Sequence, residues 1–102
     1  MIDVRILHQL KDNDGITLKD GKIINYKSGW QVADFGKECK TIPEALQAIK
    51  EYNGTCGVWF SNGIYYVDHS IRVNTKQQAL AIGRAHNQIS IWGWKNQKLV
   101  YC

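Results

Sequence analysis

Hydrophobic and polar residues alternate at the start of the chain and predict a strand there. The apolar positions of this stretch are Ile2, Val4 and Ile6, which follow the two-residue period of a half-buried strand. Further on, two apolar runs flank Asp20-Gly21, a dipeptide typical of a two-residue hairpin turn. A second turn at 27–29 leads into a strand that begins at Trp30. We therefore expect residues 1–29 to form an N-terminal β-meander.

Seven positions of the chain recur at an offset of 34 residues, five as identities and two with the same chemistry. The first copy consists of Asp34, Thr41, Glu44, Ala45, Leu46, Lys50 and Asn53. The second copy consists of Asp68, Thr75, Gln78, Ala79, Leu80, Arg84 and Asn87. A shared frame of this length predicts that one supersecondary unit is used twice.

Each copy contains the start signal of a helix. Thr41 stands three residues before Glu44, and Thr75 stands three residues before Gln78, which is the spacing of a capping box. Pro43 fits the first helical turn, where a missing N–H costs little. Apolar residues then recur with helical spacing, and an asparagine follows each stripe. Two capped helices are therefore predicted, one in each copy.

A strand is predicted after each helix, with the same offset between the two copies. The aligned apolar positions are Cys56, Val58 and Phe60 in the first copy and Ser90, Trp92 and Trp94 in the second. Asn62-Gly63 predicts a hairpin turn into a strand over 64–68, and 95–97 turns the chain into a final arm at 99–101.

Together these elements predict one α+β domain over residues 1–102. After the meander, residues 30–60 and 64–94 would form two tandem strand–helix–strand repeats. The expected product is a mainly antiparallel sheet with two helices, which usually lie on one face of such a sheet. The composition, 44% hydrophobic and 22% charged, is that of an ordinary globular domain.

Gly83 needs a physical reason, because glycine inside a helix costs roughly 1 kcal/mol against alanine. It aligns with Ile49, a position of the core-facing stripe. We expect the second helix to approach the sheet or the other helix closely at Gly83, and a hinge is the alternative.

The net charge of +4 is mildly basic. It argues against a nucleic-acid mimic, which needs an acidic surface. A basic stretch could meet nucleic acid or an acidic protein surface, and a merely solvated face is the alternative. The lysines of this stretch are Lys19, Lys22, Lys27, Lys37 and Lys40.

Asp68-His69-Ser70 contains three residue types of hydrolytic sites, but neighbours on a strand point to opposite faces. Because Asp34 occupies the matching position in the first copy, we interpret both aspartates as capping or bounding a turn. No nucleophile–base pair can be assigned from spacing, so no catalytic residue is predicted.

Three cysteines, an odd number, fit no complete disulfide framework and agree with a reducing compartment. Cys39 aligns with Val73 and is expected to be buried, as is Cys56, while Cys102 is the candidate for an exposed, reactive thiol. No zinc spacing, Walker loop or dinucleotide fingerprint occurs, so neither metal nor cofactor is predicted. No apolar run suggests a membrane span or a signal peptide, and we expect a cytoplasmic protein.

Aromatic residues crowd the predicted repeat strands. Alternation would send some of them away from the helices, and exposed tryptophan and tyrosine are enriched at interfaces. Trp59 and Tyr65 are the surface candidates, whereas Trp92 and Trp94 are expected to fill the core and the ends of the sheet.

The C-terminal half resembles small orphan proteins of phages and integrative elements of Gram-positive bacteria. The resemblance lies in Gly57-Val-Trp-Phe-Ser-Asn-Gly-Ile-Tyr-Tyr-Val-Asp68, Asn74-Thr-Lys-Gln-Gln-Ala-Leu-Ala-Ile-Gly-Arg84 and Asn87-Gln-Ile-Ser-Ile-Trp92. Among such orphans, anti-CRISPR proteins are the class that most often consists of one compact domain without chemistry. The resemblance implies this context and assigns no functional residue.

The leading hypothesis is a non-enzymatic inhibitor in the bacterial cytoplasm that binds a host defence protein or its ribonucleoprotein complex, such as a CRISPR nuclease. The alternative is a small basic nucleic-acid-binding domain, and an enzyme is the weakest hypothesis because no site converges. The residues expected to contact the partner are Lys19, Lys22, Lys27, Lys37, Lys40, Trp59 and Tyr65.

Overall fold

A computed structural model of the chain describes residues 2–52 and 54–102. Within these ranges the helices are α1 (Val4–His8), α2 (Ile42–Glu51) and α3 (Lys76–Ala85). The strands are β1 (Asp14–Lys19), β2 (Lys22–Ile23), β3 (Trp30–Cys39), β4 (Thr55–Ser61), β5 (Ile64–Val73), β6 (Ser90–Gly93) and β7 (Lys98–Tyr101). The strands form one sheet in the order β2-β1-β4-β5-β3-β6-β7. The predicted α+β class is confirmed, with one helix more than expected.

Two hairpin turns form where the sequence predicts them. Asp20 and Gly21 have φ angles of 52° and 80°, and Asn62 and Gly63 have φ angles of 52° and 78°. Positive φ at both central residues is the requirement of a type I′ turn, whose twist matches that of the strands it joins. The second turn pairs Ser61 with Ile64 and so sets the register of β4 against β5.

The predicted strand at residues 2–6 is wrong, because this segment enters the short helix α1. The Asp3 side chain caps the helix by accepting a hydrogen bond of 3.0 Å from the Arg5 backbone N–H. Leu7 is the fully buried residue of α1, and Ile2 and Leu10 pack partly buried against the same core. A cap at Asp3 and burial at Leu7 outweigh a three-residue alternation that is too short to specify a strand.

The chain divides into two compact units, which we call unit 1 (Met1–Ile24 and Gly36–His69) and unit 2 (Asn25–Phe35 and Ser70–Cys102). Strands β3 and β5 each contribute residues to both units. Each unit therefore contains one of the two ten-residue helices, but neither unit is a continuous stretch of chain. The predicted division into 1–29, 30–60 and 64–94 stays a prediction.

The core of unit 1 lies between its helices and one face of its strands. Ala45, Ala48 and Ile49 of α2 are buried there with Leu7 of α1. The strand residues of this core are Leu18, Cys39, Cys56, Val58, Tyr65 and Val67. Because side chains alternate along a strand, the residues between them face away from the helices. We call that second face of β1, β2, β4 and β5 in unit 1 the outer face.

The core of unit 2 is smaller and centres on Val32 of β3, Ala79 of α3 and Ile91 of β6. Trp92 alternates with Ile91 in β6 and so faces away from α3. Trp94, in the turn after β6, is buried, with 8% of its surface exposed, and its Nε1 donates a 3.2 Å hydrogen bond to Oε1 of Gln31. Trp92 is half-buried edge-on against it.

Arg72 anchors the loop before β3 in unit 2. Its Nε donates a 3.0 Å hydrogen bond to the Ser28 carbonyl, and its Cζ lies 5.2 Å from the centre of the Tyr26 ring. These contacts hold the predicted turn at 27–29, where Gly29 has a φ of 88°. Nothing in the local sequence pattern indicates this contact, because Arg72 and Ser28 are 44 positions apart in the chain.

The helices and first strands of the predicted repeat recur at the expected offset. β5 begins and ends 34 residues after β3, and α3 begins and ends 34 residues after α2. The last strands do not keep the offset, because the core-facing residue of β6 is Ile91 and not Trp92, the residue aligned with Val58. Superposition of the two copies stays a prediction. Asn53, one of the repeat positions, lies outside the described residues.

Both predicted threonine caps are present. Thr41 Oγ1 accepts a 3.3 Å hydrogen bond from the Glu44 backbone N–H, and Thr75 Oγ1 accepts a 3.2 Å bond from that of Gln78. The second box is reciprocal, since Gln78 Oε1 also accepts a 3.2 Å bond from the Thr75 backbone N–H. In the first helix the Glu44 carboxylate accepts from the Lys40 backbone N–H instead.

We expect Thr41→Ala and Thr75→Ala each to lower the free energy of unfolding by about 0.5–2 kcal/mol, because each removes an acceptor from the first helical turn. Chemical denaturation monitored by circular dichroism measures the effect. Lys50→Ala, on the exposed side of α2, serves as a control and should change stability by less than about 0.5 kcal/mol. Unchanged unfolding midpoints in both threonine variants would show that the caps contribute nothing.

Gly83 lies where α3 approaches the sheet, as predicted. A β-carbon on Gly83 would lie 2.7 Å from Cys102 Sγ, 3.4 Å from Val32 Cγ2 and 3.5 Å from Ile91 Cγ2. The first separation is shorter than real contacts allow, whereas the other two require little or no adjustment. The thiol of Cys102 is therefore the main obstacle to a larger residue in this helix.

We expect Gly83→Ala to destabilise the protein by about 1–3 kcal/mol through overpacking. In a Cys102→Ala background the clash is absent, so the same change should be neutral or stabilising by up to about 1 kcal/mol from helix propensity. A double-mutant cycle of unfolding free energies tests this coupling. Equal effects of Gly83→Ala in both backgrounds would contradict the assigned contact.

Candidate functional site

Trp59 is the most prominent residue of the outer face. It pairs with Gly15 on one side and with Tyr66 on the other, while its neighbour Val58 pairs with Val67 in the core. The indole remains 45% exposed. A β-carbon on Gly15 would lie 2.9 Å from Cε3 of the indole, so the ring lies directly over this glycine. The backbone of β1 thus supports the ring and fixes its position before any ligand arrives.

Tyr65, the other predicted surface aromatic, is buried, and its prediction as a surface residue is wrong. Only 8% of its surface is exposed, its ring centre lies 4.5 Å from that of Phe60, and its hydroxyl donates a 3.3 Å hydrogen bond to the Leu7 carbonyl. Tyr66 faces the outer side in its place. The sequence does indicate that Tyr66 and not Tyr65 shares a face with Trp59, since a two-residue turn at Asn62-Gly63 pairs residue 59 with residue 66.

The five predicted lysines are all exposed, and four of them belong to unit 1. Lys19 and Lys22 pair directly across the β1–β2 hairpin. Lys19 is four residues from Gly15 along β1, so it lies on the outer face with Trp59. Lys37 belongs to β3 and Lys40 follows that strand, whereas Lys27 belongs to unit 2. The structure therefore brings three of the seven predicted contact residues, Lys19, Lys22 and Trp59, to one face.

Asp68 is the acidic residue of this face and lies within β5, where it pairs with Gly57. Its carboxylate lies over Gly36 of β3, in the space that a side chain at that position would fill. Burial raises the pKa of the Asp68 carboxyl above its ordinary value. Within residues 2–52 and 54–102, no side-chain hydrogen bond or ion pair reaches this carboxylate.

The prediction that Asp34 and Asp68 cap or bound turns is wrong, because both lie inside ten-residue strands. The Asp34 carboxylate accepts a 2.9 Å hydrogen bond from the backbone N–H of Phe35. The two strands extend further than the apolar pattern suggests, because pairing on both sides stabilises polar residues within a central strand.

Asp68 and His69 do not converge, as expected for neighbours on a strand. His69 pairs with Cys56 on the side of the helices, and its ring centre lies 6.2 Å from that of Tyr52. Asp68 faces the outer side. The expectation that the chain has no catalytic residue stays a prediction.

The thiols of Cys39 and Cys56 are buried, as predicted. Burial raises the pKa of the Cys39 thiol, and it raises the pKa of Cys56 to about 11. Since the thiolate is the reactive form, both are poor nucleophiles near neutral pH. Cys102 is only half-buried, and its sulfur lies against Gly83.

A groove of about 790 Å³ lies on the helix side of unit 1, between α2 and the β1–β2 turn. Val4, Leu46, Ile49 and Tyr52 contribute to its mostly apolar lining, and Asp20 is at its rim. Sequence reasoning missed this groove because it depends on how α1 and α2 pack. The described lining brings together no set of polar groups suited to chemistry.

Among the residues that the structure describes, no group of three or more His, Cys, Asp or Glu side chains could hold a metal ion. Over the same residues, no helix has the length and apolar character needed to cross a membrane. Comparison of the chain with protein-family models, with curated proteins and with solved structures found no significant match. The outer face of unit 1 is therefore the candidate site on its geometry alone.

The raised pKa of Asp68 predicts that its buried carboxylate lowers the free energy of unfolding by an amount that depends on pH. Below about pH 4 the carboxyl is protonated in both the folded and the unfolded chain, so its burial costs little. As pH rises through the folded pKa, the unfolded chain has already released its proton, and the folded state loses stability. Asp68→Asn should therefore increase the free energy of unfolding more at about pH 7 than at about pH 3.

Denaturant titrations of wild type and Asp68→Asn at the two pH values measure this difference. Glu38→Gln, at an exposed position of β3, is the matched control and should show no such contrast. An equal effect of Asp68→Asn at both pH values would show that the carboxylate is well solvated in the folded protein.

Proposed function

We propose that this chain is a non-enzymatic binding protein of a phage or mobile element, acting in the bacterial cytoplasm. It would inhibit a host defence complex, such as a CRISPR nuclease, by covering a protein or ribonucleoprotein surface of that complex. The observation that carries this proposal is the exposed indole of Trp59, which lies over Gly15 on the same face as Lys19 and Lys22. The defence context follows from the resemblance in the C-terminal half.

Trp59 has the properties of an interface anchor. Tryptophan contributes a large contact area and is enriched among the residues whose loss costs most binding energy. The ring is already held against the β1 backbone, so less side-chain entropy is lost when a partner covers it. An aromatic ring that is supported from below and open above is well suited to a flat protein surface.

Lys19 and Lys22 give the same face a basic end. Two like charges placed directly opposite each other on a strand pair repel. An acidic group on a partner would relieve that repulsion and would also steer the partner during diffusional encounter. The pair therefore favours a partner with acidic residues opposite the β1–β2 hairpin.

The same lysines and the same indole could also serve a nucleic-acid-binding domain, which remains the alternative function. Salt dependence separates the two, because binding to phosphates weakens steeply as counterions compete. A protein interface with a buried aromatic centre responds much less.

The decisive experiment measures inhibition of CRISPR nucleases together with association and dissociation rates on an immobilised nuclease. We expect Lys19→Glu/Lys22→Glu to slow association by about 10-fold or more. Lys95→Glu/Lys98→Glu introduces the same charge change at exposed positions of the β6–β7 hairpin and should have little effect. Trp59→Ala should speed dissociation by about 10-fold or more, and Trp59→Phe should lie between it and wild type.

Two results would overturn the proposal. One is the absence of inhibition for every nuclease examined, combined with tight and salt-sensitive binding to free DNA or RNA, which would establish the alternative function. The other is an equal loss of binding in the Lys95→Glu/Lys98→Glu control, which would show that net charge and not the outer face matters.

A further inference from the structure

We propose that the chain forms a two-fold symmetric dimer in which β7 pairs antiparallel with β7 of a second copy. The surface involved is the free edge of β7, which belongs to unit 2. The inference therefore goes beyond the proposed function, which uses the outer face of unit 1, and the dimer and the inhibition can be tested separately.

β7 is the last strand of the sheet and has one unpaired edge. Over the part of the chain that the structure describes, it pairs with β6 on one side and with no strand on the other. An unpaired edge is a template for another strand, and proteins usually block it with charges, a proline or a very short strand. The opposite edge strand, β2, is blocked in this way, since it has two residues and begins with Lys22. β7 has four residues, contains no proline and has its lysine, Lys98, at its start, so its centre is open to pairing.

The alternation of backbone hydrogen bonds identifies the residues that face this edge. The Cys102 N–H donates a 2.9 Å hydrogen bond to the carbonyl of Ile89, the residue opposite it. Because hydrogen-bonded and non-hydrogen-bonded pairs alternate along an antiparallel ladder, Val100 bonds to β6, whereas Leu99 and Tyr101 do not. The N–H and C=O groups of Leu99 and Tyr101 therefore point toward the free edge.

The same two residues carry exposed apolar side chains. Leu99 is 54% exposed and Tyr101 is 73% exposed, and because they are two residues apart they lie on one face of the strand. Trp92 pairs with Leu99 and extends this apolar face across β6. A strand added at the edge would cover these side chains as well as the open backbone groups.

A second copy of β7 complements this edge. A two-fold axis at Val100, perpendicular to the sheet, places Leu99 of each copy opposite Tyr101 of the other. This register pairs all the outward N–H and C=O groups of both residues and forms an aromatic–aliphatic cross-strand pair on each side of the axis. Lys98 of one copy lies opposite residue 102 of the other, so the two lysines do not repel each other across the pair. Since β7 supplies both halves of every pair, a second copy is the occupant that fits.

Sedimentation equilibrium at protein concentrations from about 10 µM to about 1 mM tests the dimer. Two strands of this length bury less area than a standard interface, so we expect a dissociation constant on the order of 100 µM. Tyr101→Ala and Tyr101→Pro are matched variants, because both remove the ring and only the second removes the N–H at the free edge. Proline is tolerated at an edge position whose N–H faces solvent. We expect Tyr101→Ala to weaken dimerisation about 5-fold and Tyr101→Pro to weaken it at least about 50-fold, with unchanged circular dichroism.

Disulfide cross-linking in a Cys102→Ala background tests the register. Val100→Cys places two thiols in a non-hydrogen-bonded pair, where the α-carbons lie about 4.5 Å apart, within the range of a disulfide. Leu99→Cys is the control, because its two copies are diagonal neighbours about 7–8 Å apart, too far for a disulfide. With oxidised glutathione we expect Val100→Cys to form the covalent dimer at least about 10-fold faster, although Leu99 is the more exposed residue.

Three results would contradict the proposal. A monomer at every concentration would overturn the dimer and leave the edge of β7 to a strand of another protein. Equal dimerisation of Tyr101→Ala and Tyr101→Pro would show that the copies associate through another surface. Cross-linking of Leu99→Cys as fast as that of Val100→Cys would exclude the register centred on Val100.

Discussion

The two-residue turn at Asn62-Gly63 sets the register on which the candidate site depends. It pairs Ser61 with Ile64, and the pairing then continues along β4 and β5 without interruption. Val58 and Val67 are directed to the core by this register, and Trp59 and Tyr66 to the outer face. A shift of one residue would exchange the two sets and place both aromatic rings under α2. The positive φ angles that the turn requires are therefore a condition for the arrangement of the outer face as well as for the hairpin.

The outer face carries two features that do not stabilise the isolated chain. The exposed indole of Trp59 does not help the isolated chain to fold, and neither does the half-buried Asp68 carboxylate, which accepts no side-chain hydrogen bond from the described residues. Burial also raises the pKa of that carboxyl. Such features are typical of positions kept for binding, since a partner supplies the contacts that are lacking. Glycines make the arrangement sterically feasible, because Gly15 lies beneath Trp59 and Gly36 lies beneath Asp68.

The two copies of the internal repeat exchange strands within the sheet, which a tandem arrangement does not suggest. The last strand of the first copy, β4, pairs with β5, and the last strand of the second copy, β6, pairs with β3. Each copy's last strand therefore pairs with the first strand of the other copy. This exchange explains why β3 and β5 are shared between the compact units, and why neither unit is a continuous segment.

Local signals in the sequence determined the turns, the caps and the two longer helices. The interactions of Thr41, Thr75, Asp20-Gly21 and Asn62-Gly63 join residues at most four apart in the chain, so their residue types suffice to predict them. The close packing of α3 at Gly83 could likewise be predicted from the sequence, because a glycine in the apolar stripe of a helix implies that another element approaches the helix closely there. The tertiary structure alone decided the helical start of the chain, the burial of Tyr65 against Leu7, and the one-residue shift of β6. It also brought Lys19, Lys22 and Trp59 to one face, since contacts between distant segments depend on strand pairing and helix packing that no local pattern encodes.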